Sequence, residues 1–428
     1  MKKHMSLLLI GSLLFSGQVG AITPAAKALV DFETKSNAIA TRSNEAIPMP
    51  HFEIPLNLVS LDFADRFPES MRQHLIFQKD GHNYVRWILN PEDTKWFVEV
   101  ENYFKEKGLT LEKKYYFTGY QTASRSYIVE DPNKEIQFSV KSSTNKTGGF
   151  WADKKQPIGE ADDSRLNADF LDGIAKKLHF EHLIIMDEPA IMKIGAIDQA
   201  VVIRDLNEIN NEKSGKIYVP GFSVLHEKTG QEIAAKNGSN DPYQFWSEHY
   251  VKAVARALGE LAARTGMQFD SPHSQNFLVE LDAQYRPTGK IVLRDLADFY
   301  IYRDMTEVLH PNATEFLTKF SQKGNVLNKI AAGFGPLHGN NNPSWIPNEK
   351  YELWKDVFFK EFERSLFESS GLKPQELMAW QPAINGKYFG NTYVIRKNPA
   401  LSQDFWGNMR KFQTPRGILN CSHIMMLE

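Results

Sequence analysis

The stretch His273-Ser-Gln-Asn-Phe-Leu-Val-Glu-Leu-Asp-Ala-Gln-Tyr-Arg-Pro-Thr-Gly-Lys-Ile-Val-Leu-Arg-Asp295 holds two short apolar runs on either side of a turn. Phe277 to Leu281 and Lys290 to Leu293 have the composition of strands, and Arg286-Pro287-Thr288-Gly289 is turn-forming. The pattern predicts a hairpin. A hairpin would bring Asn276, just before its first strand, close to Asp295, just after its second. An amide oxygen and a carboxylate at one point suit Mg²⁺, a hard ion that takes oxygen ligands and keeps its own waters.

Upstream of this hairpin, Asp241 opens the clearest helix of the chain. Asp241 can cap, Pro242 suits the first turn, and Gln244 completes a capping box. Val251, Val254, Leu258 and Leu261 recur at helical spacing, and Gly266 fits the C-terminal end. Gly215 to Asn240 reads as a polar connection. Further back, Leu183 to Met186 and Ala200 to Ile203 read as strands, the second followed by Arg204. An amphipathic helix carries Leu166, Phe170, Ile174 and Leu178 on one face.

Before that helix, Tyr115 to Phe117, Ser126 to Val129 and Ile136 to Val140 are β-rich, with Asp131-Pro132-Asn133 between the last two. The run Lys141-Ser-Ser-Thr-Asn-Lys-Thr-Gly-Gly149 follows. A phosphate group needs cations and N–H or O–H donors. Lys141, Ser142, Ser143, Lys146 and Thr147 offer them here, and Arg204 is a further candidate. Asp93 to Lys107 reads as a helix with Trp96, Phe97, Val100 and Phe104 on one side.

Downstream of the hairpin the chain reads as mostly helical from Thr306. The strongest segment is Tyr351 to Ser370, with Trp354, Phe358, Phe362 and Leu366 in one stripe. Gly333 to Asn342 is a loop. The element order predicts an α+β fold of two lobes, like a protein kinase, with a cleft between them and a helical C-terminal part. The lobes divide at 51–210 and 211–428, behind a loose leader at 22–50.

The first residues, Met1 to Ala21, have the layout of a secretory signal peptide. Lys2 and Lys3 give the charge, Ser6 to Phe15 the apolar stretch, and Val19-Gly20-Ala21 the small residues for cleavage. The chain is expected to be exported, to the periplasm or the medium. No later segment reads as a membrane span. The formal net charge of −2 over 428 residues gives no footing for nucleic acid. The one cysteine, Cys421, excludes an intrachain disulfide and a multi-cysteine zinc site.

Three stretches resemble the IucA/IucC-type siderophore synthetases, which make siderophores without a nonribosomal peptide template. Ser142-Ser-Thr-Asn-Lys-Thr147 is similar to that family's Ser-Ser-x-x-Arg-Thr phosphate loop, with lysine in place of arginine. His273-Ser-Gln-Asn276 is similar to its His-x-Gln-Asn motif, and Lys290 to Asp295 to its strand ending in Arg-Asp. The resemblance covers roughly residues 136 to 302. It implies a kinase-like core that uses ATP to adenylate a carboxylate, often of citrate, for capture by an amine or alcohol.

By that resemblance Ser143, Lys146 and Thr147 contact phosphates. His273 and Asn276 hold ATP and metal, and Asp295 binds Mg²⁺, so that His273 and Asp295 are the catalytic candidates. Within the broader kinase-like class, Lys141 would be the strand lysine over the phosphates. Three functions stay open at this point. They are an ATP-dependent ligase acting on a small carboxylate, a secreted phosphotransferase acting on a protein or small molecule, and a non-catalytic exported binding protein.

Overall fold

The structure is a computed structural model. It describes residues 22–37, 43–122, 125–147, 152–175, 179–269, 274–302, 306–307, 309–322, 326–327, 330–333, 343–369 and 392–395. Met1 to Ala21, His273 and Cys421 lie outside the described residues.

The first ten strands are β1 (Ile47–Pro55), β2 (Ser60–Phe63), β3 (Ile76–Lys79), β4 (His82–Ile88), β5 (Lys114–Gln121), β6 (Ser126–Glu130), β7 (Gln137–Lys141), β8 (Leu183–Ile185), β9 (Ala190–Ile194) and β10 (Gln199–Asp205). All but β8 join one sheet in the order β2-β9-β10-β7-β6-β5-β1-β4-β3. Every pairing in it is antiparallel.

Alternation along each strand divides the sheet's two faces. Tyr127, Val129, Phe138, Val140, Val201 and Ile203 share a core with Val100 and Phe104 of the helix Trp96–Glu106. Asp93 holds the start of that helix, its carboxylate accepting from Trp96 N at 3.2 Å and Phe97 N at 2.7 Å. On the other face, Ala200 and Val202 pack against Ala161 of the helix Ile158–Ala175.

A second sheet has the order β11-β13-β14-β8, with β11 (Ile217–Pro220), β13 (Phe277–Leu281) and β14 (Pro287–Leu293). Between these in sequence lies β12 (Met267–Phe269), which pairs with β15 (Phe299–Tyr302). Here β13 and β14 form the expected antiparallel hairpin, with Phe277 opposite Leu293. The second strand starts at Pro287, so the turn lies earlier than expected. Tyr285, with φ of 64°, makes that turn. One face of this sheet, with Val279, Leu281, Ile291 and Leu293, packs on the helix Lys252–Thr265, against which the helix Asn348–Ser369 lies in turn.

The helix expected after Asp241 is capped as read, with Gln244 N donating to Asp241 Oδ1 at 3.0 Å. It runs as Pro242–Trp246, a π turn Ser247–Val251 and Lys252–Thr265, and ends on Gly266 at φ 72°. Gly259 lets the helix Asn348–Ser369 come close: a Cβ there would lie 2.6 Å from Phe362 O.

Two expectations are corrected. Part of the stretch 22–50 read as a loose leader is built into the fold: Pro24–Lys35 is a helix, and β1 starts at Ile47. Ala26, Leu29 and Val30 are buried between the two sheets, against Tyr120 and Ile128 on one side and Tyr218, Leu278 and Val292 on the other. Next, the polar connection Gly215–Asn240 contains β11 and the helices Gly221–Val224 and Glu227–Lys236, anchored by buried Tyr218, Val219, Ile233 and Ala234. Beyond Thr306, expected to be mostly helical, the described residues include the helices Thr314–Gln322 and Asn348–Ser369 and the strand pair Ile330–Gly333 with Thr392–Ile395. Most of the loop Gly333 to Asn342 lies outside the described residues.

Candidate functional site

The hairpin brings Asn276 and Asp295 together as its pairing requires. Arg294 N donates to Asn276 O at 3.0 Å, one step beyond the last paired residues. Asn276 is buried. Asp295 takes a left-handed backbone conformation, φ 73°, which a short polar side chain tolerates better than a branched one. The chain turns there, and the carboxylate meets the large sheet.

Lys141 ends β7, on the face that β10 shares through the register Val202 opposite Lys141 and Arg204 opposite Ser139. Lys141 Nζ donates to Asp295 Oδ1 at 2.6 Å, and Arg204 Nη2 lies 3.4 Å from the same oxygen. Arg204 Nε donates to Glu188 Oε1 at 2.5 Å, and Leu296 N donates to Glu188 Oε2 at 3.2 Å. Glu188 is fully buried and Arg204 nearly so, whereas the Asp295 side chain keeps 26% of its surface. The pair therefore sits at the mouth of a charged network, with Glu188 and Arg204 as its floor.

Burial opposes ionisation of Asp295, but Lys141 and then Arg204 outweigh it and hold this carboxyl well below the usual range. Asp298 opens to solvent, yet the protein packed around it and then the charge of Asp295 push its carboxyl up to about 6. Lys154 responds in the other direction. Burial, then Arg125 and Lys141, lower its pKa. Four cations, Lys141, Arg204, Arg125 and Lys154, act on one carboxylate, and such crowding is relieved when an anion binds among them.

The loop after Lys141 is closed by paired backbone bonds. Thr144 N donates to Lys154 O at 2.9 Å, and Lys154 N to Thr144 O at 2.8 Å. Thr147 N and Oγ1 both donate to Ala152 O, at 3.0 and 3.2 Å. Ser143 Oγ accepts from Gln156 N at 2.9 Å. Lys146 is exposed, its backbone N donating to Thr144 Oγ1 at 3.1 Å. Ser142 is buried, and its Oγ has no hydrogen-bond partner among the described residues. It lines a small cavity with Trp87, Asn90, Asp93 and Gln199, beside the core under the sheet.

Of the residues expected at the site, Lys141, Arg204 and Asp295 come together, and Asn276 stands beside Asp295 along the hairpin through its backbone bond from Arg294. Ser143 and Thr147 stabilise the loop, and Ser142 faces the other side of the sheet. Reading the sequence assigned no site role to Glu188, Lys154, Arg125 or Asp298. A carboxylate before proline at the end of an apolar run was the one local sign of Glu188. The Asp-Lys-Lys run at 153–155 has no distinguishing spacing.

The oxygen groups near this point are those of Asp295, Asn276 and Asp298. Lys141 and Arg204 both engage Oδ1 of Asp295, so Oδ2 takes no part in those pairs. Asp298 stands three positions on, and Asn276 adjoins through the hairpin. Two carboxylates, one raising the pKa of the other, are what a dication relieves.

This architecture is similar to a known class of solved structures, proteins of siderophore assembly. The petrobactin biosynthesis protein AsbB from Bacillus anthracis strain Sterne superposes with a TM-score of 0.57, over 89% of this chain and 71% of that one, at 13% identity. The ATP-bound aerobactin synthetase IucA from a hypervirulent pathotype of Klebsiella pneumoniae aligns over 76% of this chain and 62% of its own, with TM-score 0.48 and 12% identity. IucC from the same source aligns over 78% and 66%, with TM-score 0.48 and 11% identity. The chain thus spans just under two thirds of the length of the two aerobactin synthetases. No protein-family model matches the sequence, and no curated protein does. The likeness to AsbB is one of fold. Among the described residues, no helix is long and apolar enough to cross a membrane.

Proposed function

We propose that this chain is an ATP-dependent ligase of the siderophore-synthetase kind, which binds Mg-ATP at the Lys141–Asp295 cleft and adenylates a small carboxylate. The observation that carries this reading is the meeting of Lys141, Arg204 and Asp295 at one point, in a fold shared with AsbB.

Lys141 would leave Asp295 for phosphate oxygens, and Lys154 would add a second charge beside it. Arg204 is too buried to move far and would hold the floor of the site through Glu188. Asp295, Asn276 and Asp298 would supply oxygen ligands to magnesium. The ion would screen phosphate charge and orient the nucleotide. His273 precedes the hairpin and is retained as a nucleotide contact and catalytic candidate. The kinase-like two-lobed arrangement is part of this proposal, as is export after removal of Met1–Ala21.

The test is product analysis. Purified protein is incubated with Mg-ATP and a panel of di- and tricarboxylic acids. Pyrophosphate and AMP released only when an acid is present are expected. ADP with phosphate moved to an acceptor would replace this reading with a phosphotransferase. No nucleotide binding with or without Mg²⁺ would leave a non-catalytic binding protein.

A further inference from the structure

We propose that Glu33, on the helix Pro24–Lys35, is a positioning residue for the nucleotide site: through Arg294 it holds the backbone that carries Asn276 and Asp295. The effect on ligand binding rests on the Mg-ATP reading above; the effect on the backbone does not.

Glu33 is fully buried, and Arg294 Nη1 donates to its Oε1 at 2.5 Å. The same arginine donates through Nε to Gln275 O at 2.8 Å, and its backbone N donates to Asn276 O at 3.0 Å. One residue therefore fastens both sides of the hairpin end, and the next residue is Asp295. The planar guanidinium fork reaches a carboxylate and a carbonyl at once, which a lysine could not do in fixed directions.

Glu33 is itself held rigidly. Ala26 N donates to Thr23 Oγ1 at 3.2 Å at the start of the helix, and Ser223 Oγ donates to Phe32 O at 3.0 Å near its end. The helix lies wedged between the two sheets through Ala26, Leu29 and Val30. An apolar pair could hold the helix there without the cost of removing two charges from water. An ion pair adds direction, and its direction is toward Gln275. Glu33 also acts across the site. Burial works against the Arg204 charge, and Glu188, Asp295 and Glu33 more than restore it.

The experiment compares wild type, Glu33→Gln and Glu33→Gln/Arg294→Gln, each checked by thermal melting. Two quantities are read: amide hydrogen exchange across 274–298, and ATP affinity with Mg²⁺ and with EDTA. In Glu33→Gln, exchange at 274–298 is expected to rise while β5 and β6 keep theirs. The gain in affinity that Mg²⁺ confers should shrink by roughly tenfold, as when an outer partner of a metal ligand is lost. Affinity in EDTA should hold. A folded Glu33→Gln protein with wild-type exchange at 274–298 overturns the proposal. Should that variant fail to fold, the double variant, which leaves no buried charge unpaired, decides: wild-type exchange and Mg²⁺ response in it overturn the proposal, and loosened exchange supports it. A wild type that binds no Mg-ATP refutes the functional reading alone, and the exchange measurement still decides the role of Glu33.

Discussion

Lys141 Nζ lies 2.6 Å from Asp295 Oδ1, and each satisfies the charge that the other brings to this point. A nucleotide phosphate and a magnesium ion would each replace one member of this pair. The two substitutions Asp295→Asn and Lys141→Met therefore separate. Asp295→Asn should weaken ATP binding in Mg²⁺ and leave it unchanged or strengthened in EDTA, because Lys141 is freed. Lys141→Met should weaken it under both conditions. Calorimetric titration reads the affinities, and equal Mg-ATP affinity in wild type and Asp295→Asn would remove the metal role. Asp295→Asn should also destabilise the protein by about 2 kcal/mol, since Lys141 keeps only 8% of its side-chain surface and loses its partner.

Glu188→Gln should cost more. Arg204 would keep its charge in the buried floor with Asp295 and, more weakly, Glu33 opposite it. Loss of one partner of a buried pair is worth roughly 3–5 kcal/mol. Urea unfolding should show a lower midpoint with an unchanged slope. A cost under about 1 kcal/mol would mean that the pair behaves as a surface one.

His51, on β1, is buried, and neither ring nitrogen has a hydrogen-bond partner among the described residues. Burial, then the charge of Arg86, lowers its pKa to about 4. The folded state keeps the ring neutral while the unfolded chain takes up a proton near pH 6.5. Its contribution to stability is whole above that pH, falls as pH drops from about 6.5 to about 4, and then stays level, about 3 kcal/mol in all. His51→Leu should flatten this limb of the stability curve. An unchanged slope between pH 4 and 6.5 would show that other groups cause it.

Gly259→Ala should destabilise the protein despite the better helix propensity of alanine, worth about 1 kcal/mol. The new methyl would meet Phe362 O at 2.6 Å and Ser365 Cβ at 2.8 Å, so the two helices must separate. Overpacking of this sort costs about 1–3 kcal/mol. A lower melting temperature is expected, and a higher one would show that the helix Asn348–Ser369 yields easily.

The hairpin Phe277–Leu293 was legible because its pattern is local: two apolar runs, a turn and a short span. The cap at Asp241 and the Gly266 terminus were legible for the same reason. The helix Pro24–Lys35 was not, because its buried stripe is three small or aliphatic residues plus Glu33, and a charged residue reads as exposed. The ionic floor was not legible either. Glu188 meets Arg204 across a tight strand connection, and both meet residues near 295. No spacing within the chain encodes an encounter over about a hundred positions. The phosphate-loop resemblance pointed to a real loop, but alternation along β7 sends Lys141 and Ser142 to opposite faces.

The nine-stranded sheet ends on β2 at one side and β3 at the other, each four residues long. An open edge offers unpaired N–H and C=O groups to any strand that drifts past, including one from a second copy of the chain. Edges this short limit what such an intruder can gain. On β3 the last two residues, Gln78 and Lys79, are exposed, with Lys79 held to Glu53 at 2.8 Å. An added strand would have to bring its own backbone beside that charge. The sheet can thus be nine strands broad and still resist growing sideways into aggregates.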